Sequence, residues 1–211
     1  MFDTHTLAIF IAAGAALVIA PGPNLIYILT RSVSQGRRAG VISSLGVETG
    51  TLVHITATAV GLSSLLAASE LAFNVVKYVG AGYLVYLGIR ALRDGDQLSL
   101  TPSSATPPRA LPRVYRDGIL VSIFNPKVAL FFMAFLPQFV DPAQGSVVAQ
   151  VVQLGGIMAV MGLAMDLVYA LGGGAIGGWL ARRPALASRQ HYLVGGVYLS
   201  LGAATALSGR H

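Results

Sequence analysis

The sequence has no cysteine and few charged residues. Without cysteine the chain has no disulfide, no thiolate metal site and no thiol redox chemistry, which excludes the thiol–disulfide electron carriers of membranes. Asp, Glu, Lys and Arg make up 10% of the residues, whereas an average soluble domain has about 25%. Hydrophobic residues make up 55%. This composition is typical of a protein embedded in a lipid bilayer.

Long stretches of the sequence lack Asp, Glu, Lys and Arg. None occurs in residues 6–30 or 49–69, and a transmembrane helix needs roughly 20 mostly apolar residues. The first stretch follows no basic segment and is interrupted by proline, so we interpret it as a retained span and not as a cleaved signal peptide. The pattern predicts an all-α membrane protein of about six transmembrane helices, near residues 6–30, 39–68, 71–92, 118–140, 147–181 and 192–208.

A polar segment separates the first three predicted helices from the last three. Residues 93–117 contain four prolines among serine and threonine, a composition that predicts a flexible linker. The chain then divides into a first half, 1–92, the linker, 93–117, and a second half, 118–211. Because each half has an odd number of helices, the halves enter the membrane from opposite sides, as in inverted-repeat transporters. Any six-helix protein can be divided in this way, so the division alone does not establish transport.

Arginine is distributed unevenly between the predicted loops. Only Arg210 falls on the side of the termini, whereas the other eleven fall on the opposite side: Arg31, Arg37, Arg38, Arg90, Arg93, Arg109, Arg113, Arg116, Arg182, Arg183 and Arg189. Cytoplasmic loops of membrane proteins are enriched in Lys and Arg. Both termini are therefore predicted to lie outside the cytoplasm. The net charge is +6, but the basic residues sit in short clusters between apolar runs, as in a membrane protein. We therefore do not expect nucleic acid as a partner.

Two predicted spans are interrupted by proline beside asparagine. The first contains Pro21-Gly22-Pro23-Asn24, and the fourth contains Asn125-Pro126-Lys127. Proline removes a backbone donor and clashes with the preceding turn, so both helices should break or kink there. Backbone groups freed inside a bilayer need partners from neighbouring helices or a watery cavity. Breaks in corresponding spans therefore point to a binding site between the halves, although two purely structural kinks would give the same pattern.

Four charged residues and one histidine fall inside predicted spans, away from the span ends. A charge at the bilayer centre costs at least about 2.5–3.5 kcal/mol, so such residues usually face protein or water. Glu48, Lys127 and Asp166 lie near the middle of their spans and can form a neutralising cluster, either as a functional site or as packing pairs. Either carboxylate can also carry a proton. Lys77 and His54 are weaker candidates, because a lysine near the interface can snorkel and a lone histidine is more often a packing residue.

No motif for metal binding or hydrolysis is present. The four histidines are not spaced as metal pairs, and the sequence lacks the HExxH and GxSxG motifs. We therefore predict no cofactor, no metal and no enzymatic activity. Glycines four residues apart, such as Gly46 and Gly50, let helices approach closely. That spacing is compatible with a homodimer and equally with packing inside one chain.

Three ordered motifs resemble the lysine exporter family, also called LysE or RhtB, of amino-acid efflux proteins. They are Pro21-Gly22-Pro23-Asn24 followed by Gly36-Arg37-Arg38-Ala39-Gly40, then Lys77-Tyr78-Val79-Gly80-Ala81-Gly82-Tyr83-Leu84, then Asn125-Pro126-Lys127-Val128-Ala129-Leu130-Phe131-Phe132 with Phe135-Leu136-Pro137-Gln138-Phe139-Val140. Together they cover the first four predicted spans. The last two spans match mainly in hydropathy and in Asp166.

The resemblance implies export of amino acids or close derivatives from the cytoplasm across the bacterial inner membrane, driven by the proton gradient. Members of the family move basic, neutral and branched amino acids, homoserine and related metabolites, so the resemblance does not fix the substrate. A zwitterion needs a cationic or amide partner for its carboxylate, for which Lys127, Asn24 and Asn125 are candidates. Its ammonium needs an acidic partner, Glu48 or Asp166. A non-transporting membrane scaffold and a passive channel remain alternatives.

Overall fold

A computed structural model of the chain describes residues 2–68, 70–94, 108–181 and 184–207. Within these ranges all regular structure is helical, which confirms the predicted all-α class. Most of the predicted linker (95–107), with Arg182, Arg183 and Arg210, lies outside the described residues. The α-helices are α1 (Thr4–Ile19), α2 (Pro23–Gln35), α3 (Arg37–Ala68), α4 (Glu70–Asp94), α5 (Leu111–Ile123), α6 (Pro126–Leu130), α7 (Val147–Ala181) and α8 (Pro184–Leu207).

A continuous helical run follows α6. A π-helical turn, Phe131–Phe135, and a 3-10 turn, Leu136–Phe139, extend it, and a further 3-10 turn, Pro142–Gln144, precedes α7. Helix α5 begins at Leu111, within the segment predicted to be a linker. Pro112 occupies its first turn, where proline is tolerated because no donor is needed.

Some of the described helices are long and apolar enough to cross a bilayer. The segment Val147–Gly173 can cross a bilayer by itself, and up to three described segments can do so if each bent helix pair counts as one span. Helices α3, α4 and α8 contain 32, 25 and 24 residues, more than the roughly 20 that a span requires. The count of six spans stays a prediction.

Both predicted breaks are present. Helices α1 and α2 are bent by 49° at residues 20–22, and α5 is bent by 47° against the run Pro126–Phe139. In an α-helix the carbonyl of Leu17 would accept from the nitrogen of residue 21, and that of Ile19 from residue 23. Both positions are proline and have no N–H. Helix α1 consequently ends at Ile19, and α2 starts afresh at Pro23.

The two halves of the chain pack against each other through small residues. Helix α3 lies against α5 and α7, and α4 lies against α8. Gly46 and Gly118 face each other where α3 meets α5: a Cβ on Gly46 would lie 2.2 Å from the carbonyl oxygen of Tyr115, and one on Gly118 would lie 2.9 Å from that of Ser43. The close approach that glycine spacing predicts therefore occurs here within one chain.

Aromatic residues fill the bundle beside the first half of α1. Phe10 contacts Phe131 and Phe139, with ring centroids 5.8 and 5.1 Å apart, and Phe135 continues the cluster. Many large apolar side chains on the outer surface are exposed, among them Phe124 at 79%. A surface of this kind suits contact with lipid.

Candidate functional site

A cavity lies where the break between α1 and α2 meets α6 and the middle of α3 and α7. The space in and around it, open solvent at its mouth included, is about 570 Å³. Four of the residues singled out from the sequence line it together. Its polar wall consists of Asn24, Glu48, Thr51, Lys127, Asp166 and Tyr169, and its apolar wall includes Leu17, Phe131, Phe132 and Met158.

Lys127 is buried against the end of α1. Its Nζ atom donates to the carbonyl oxygens of Leu17 at 2.9 Å and Ala20 at 2.8 Å. A cation at this position satisfies exposed helix carbonyls and complements the negative end of the helix dipole. Two of the three ammonium protons are thus used by the backbone, and one is left for the cavity.

The two asparagines beside the breaks contact each other. Asn125 donates from Nδ2 to Oδ1 of Asn24 at 2.8 Å, and its own Oδ1 accepts from the backbone nitrogen of Lys127 at 3.0 Å. Asn125 is 1% exposed and caps α6 from outside the cavity wall. The side-chain oxygen of Asn24 accepts this bond, and its amide nitrogen is left to donate to a ligand.

The two carboxylates approach the cavity from opposite helices, Glu48 from α3 and Asp166 from α7. Oε2 of Glu48 is buried and has no hydrogen-bond partner among the described residues. Its Oε1 lies against Gly162, where a Cβ would be only 2.6 Å away. Asp166 is 9% exposed and interacts electrostatically with both Glu48 and Lys127. The three charges therefore share one cavity, while the hydrogen bonds of the ammonium go to backbone carbonyls.

The two weaker candidates lie away from the cavity wall. The His54 ring stacks on Phe132, with centroids 6.0 Å apart, and its Nε2 lies 3.2 Å from the carbonyl oxygen of Ser122. Lys77 is buried on α4, with Nζ 5.2 Å from the centroid of the Tyr78 ring. Neither residue lines the cavity, and a role for either in transport stays a prediction. Pro21, Pro23 and Pro126 shape the breaks without lining the cavity.

Several cavity residues were not singled out as site residues from the sequence. Phe131 and Phe132 belong to an apolar run that is indistinguishable from ordinary core. Their place in the wall depends on the π-helical turn, which widens the helix. Gly162 is one of many glycines, and its importance comes only from the carboxylate that packs across from it.

A helical membrane protein with a charged cavity between two broken helices has the architecture of a small-molecule transporter. The comparison with protein families gives the same result. The family model described as LysE type translocator matches residues 15–209, and the chain belongs to this family. The resemblance seen in the motifs is confirmed, as is the prediction that the chain is not an enzyme.

Curated relatives cover nearly the whole chain. The homoserine/homoserine lactone efflux protein of Salmonella typhimurium is 32% identical over 202 residues, 96% of each chain. The protein of the same name from Salmonella typhi is 31% identical over 202 residues, again 96% of each. An uncharacterized membrane protein of Pseudomonas aeruginosa is 33% identical over 197 residues, 88% of each. No solved structure matches the chain.

Proposed function

We propose that this translocator exports an amino acid or a close derivative from the cytoplasm across the bacterial inner membrane, in exchange for protons. The observation that carries the proposal is the cavity itself, in which Glu48, Lys127 and Asp166 meet between two broken helices. Relatives named as homoserine and homoserine lactone efflux proteins support this substrate class. Homoserine is accordingly the first substrate to test.

The cavity offers complementary partners for the two ends of an amino acid. Oε2 of Glu48 lacks a partner among the described residues and can accept from a substrate ammonium, beside the second carboxylate of Asp166. The amide nitrogen of Asn24 and the remaining proton of Lys127 can donate to a substrate carboxylate. Phe131, Phe132 and Met158 give the side chain of the substrate an apolar wall.

Proton coupling requires one carboxylate that is protonated from outside and deprotonated towards the cytoplasm. We assign this role to Glu48, because its unpartnered oxygen can bind either a proton or the substrate ammonium. Competition between the two at one oxygen would couple substrate release to protonation. Asp166 is the alternative carrier, and the two carboxylates can be distinguished by substitution.

Alternating access is supported by the pairing of helices across the two halves. Helices α3 and α7 are the predicted second spans of their halves, and α4 and α8 are the third. Each pair is in contact, which is compatible with a two-fold relation between the halves. At the arginine-rich end, the halves are joined by hydrogen bonds between α2 and the start of α5. The Tyr27 hydroxyl donates to the carbonyl of Val114 at 2.7 Å, and Gln35 pairs with the backbone of Arg109. A path to the cytoplasm would open by breaking these bonds.

The orientation that goes with this mechanism places both termini outside and the arginine-rich loops in the cytoplasm. The chain has no cysteine, so single cysteines can be introduced and labelled with an impermeant reagent in intact cells. A cysteine at position 109 should stay unlabelled from outside, whereas one at Asp141 should react. The reverse labelling pattern would rule out export in the proposed direction.

Replacing Gly162 by Ala should impair transport without weakening the fold. The added methyl group would lie 2.6 Å from Oε1 of Glu48 and must displace that side chain. Replacing glycine by alanine in a helix otherwise stabilises it by up to about 1 kcal/mol. We expect at least a tenfold rise in KM for export, the size of effect that follows from about 1.4 kcal/mol of lost binding.

The matched control for this change is Gly156→Ala on the same helix, where no atom lies within 4 Å of the added Cβ. It should leave KM unchanged and raise the unfolding temperature slightly. Equal KM values for Gly162→Ala and Gly156→Ala, measured by efflux of labelled homoserine, would show that Glu48 does not contact the substrate.

A scaffold and a passive channel are the alternative functions, and flux separates them. A scaffold gives no flux, and a channel equilibrates the substrate without concentrating it. The test is whether reconstituted protein concentrates an amino acid when a pH gradient is imposed. Accumulation that stops when the gradient is collapsed would support proton-coupled export over both alternatives.

A further inference from the structure

The break in the first span leaves backbone carbonyls without their usual donors. The carbonyl of Leu17 stands four residues before Pro21, which has no N–H to give. The helix ends before Asn24 could serve Ala20 in the same way. In the structure both carbonyls accept instead from Nζ of Lys127, at 2.9 and 2.8 Å. One side chain from the second half thus replaces two backbone donors of the first.

We infer that Lys127 is a positioning residue, whose ammonium replaces the donors lost at the first break and holds that break in shape. The close fit supports this: a Cβ on Gly22 would lie 3.3 Å from Nζ, so the ammonium sits directly against the backbone between the two helices. The consequence for transport rests on the proposed function, whereas the hydrogen-bond replacement can be tested without it.

The neighbouring Asn125 fixes the other side of the same break. It bonds to Asn24, in the first turn of α2, and caps α6 through the backbone nitrogen of Lys127. Helix α6 is therefore attached to the end of α1 by Lys127 and to the start of α2 by Asn125. This double attachment keeps Asn24 in the cavity wall and makes the two breaks move as one unit.

A double-mutant cycle between Lys127 and Pro21 tests the replacement directly. Pro21→Ala supplies an N–H at the position that a helix would use for Leu17, and it frees Ala20 to adopt helical angles. Lys127→Met should lower the unfolding temperature, because two buried carbonyls lose their donor. In the Pro21→Ala background the drop should shrink by about half, since one of the two carbonyls regains a partner.

Two matched controls make the cycle specific. Pro23→Ala restores a donor for Ile19, a carbonyl that Lys127 does not contact, so it should leave the effect of Lys127→Met unchanged. Lys77→Met removes the only other lysine of the chain, which is also buried. Its effect on the unfolding temperature should be the same in the wild-type and the Pro21→Ala backgrounds. If the Lys127→Met variant does not fold, the inference predicts that adding Pro21→Ala restores folded protein and that adding Pro23→Ala does not.

Transport by the single variant Pro21→Ala, which keeps the Lys127 ammonium, separates the shape of the break from a direct contact of Lys127 with the substrate. If the shape of the break matters, this variant should be folded yet have a raised KM or no export, because a longer α1 moves Asn24. If Lys127 acts only by stabilising the fold or by touching the substrate, Pro21→Ala alone should export as wild type. Equal drops in unfolding temperature with and without the Pro21→Ala change would overturn the inference and leave the proposed function intact. Absence of wild-type export would instead refute the proposed function and leave the thermal cycle valid.

Discussion

Glu48→Gln is expected to abolish the uphill accumulation of substrate driven by a pH gradient. Glutamine has nearly the same size and keeps a hydrogen-bond acceptor at the cavity, but it cannot take up and release a proton. Substrate exchange between the two sides should therefore continue while net accumulation falls to equal concentrations. Oε2 of Glu48 has no partner among the described residues, so this substitution leaves no broken ion pair and should spare the fold. The measurement is counterflow beside pH-driven uptake in the same proteoliposomes.

Two further substitutions show whether the effect belongs to Glu48. Asp166→Asn removes the second carboxylate of the cavity and should weaken substrate binding while keeping some pH-driven accumulation. Asp141→Asn removes a partly exposed carboxylate that caps a loop turn, and should behave as wild type. If Asp166→Asn abolishes accumulation and Glu48→Gln does not, the proton is carried by Asp166 and the assignment to Glu48 is wrong.

The second large effect is expected at Gly46, where α3 meets α5. A Cβ at this position would lie 2.2 Å from the carbonyl oxygen of Tyr115 and 3.0 Å from its carbonyl carbon. Both atoms belong to the backbone of α5, so no side chain can rotate away and the helices must separate. Overpacking of this kind costs about 1–3 kcal/mol. We expect Gly46→Ala to lower the unfolding temperature clearly and to reduce the yield of folded protein.

Gly61 on the same helix is the matched control for this substitution. No atom lies within 4 Å of a Cβ built there, so Gly61→Ala should stabilise α3 by up to about 1 kcal/mol through helix propensity. The two identical substitutions are thus expected to have opposite signs. Thermal unfolding in one detergent compares them, and equal shifts would mean that α3 and α5 do not approach as closely as described.

The features that could be predicted from sequence are those with a local cause. Pro21 and Pro23 remove backbone donors wherever they occur in a helix, so the break at that position follows from the sequence alone. The meeting of Glu48, Lys127 and Asp166 was also predictable, because charges inside a bilayer tend to face one another or water. The low overall charge predicted a membrane protein, because charged side chains are costly inside a bilayer.

Other features depend on residues far apart in sequence and could not be predicted. The sequence predicted that Lys127 lies in a cluster with two carboxylates, but it gave no sign that the ammonium donates to the carbonyls of Leu17 and Ala20, more than 100 residues away. Which partner a buried ammonium finds depends on how the halves pack. Composition also placed Pro112 in a flexible linker, although the same residue stands in the first turn of α5. Proline is common in both settings, so composition alone does not distinguish them.

The most direct test of proton-coupled export is flux by the purified wild-type protein in proteoliposomes with an acidic interior. Proton exit is then coupled to amino-acid uptake, so the substrate should accumulate inside above its outside concentration. A mixture of amino acids that includes homoserine, analysed by mass spectrometry, makes the result independent of one chosen substrate. We predict that at least one compound is concentrated and that collapsing the pH gradient releases it. Flux of every compound to equal concentrations, regardless of the pH gradient, would contradict the mechanism.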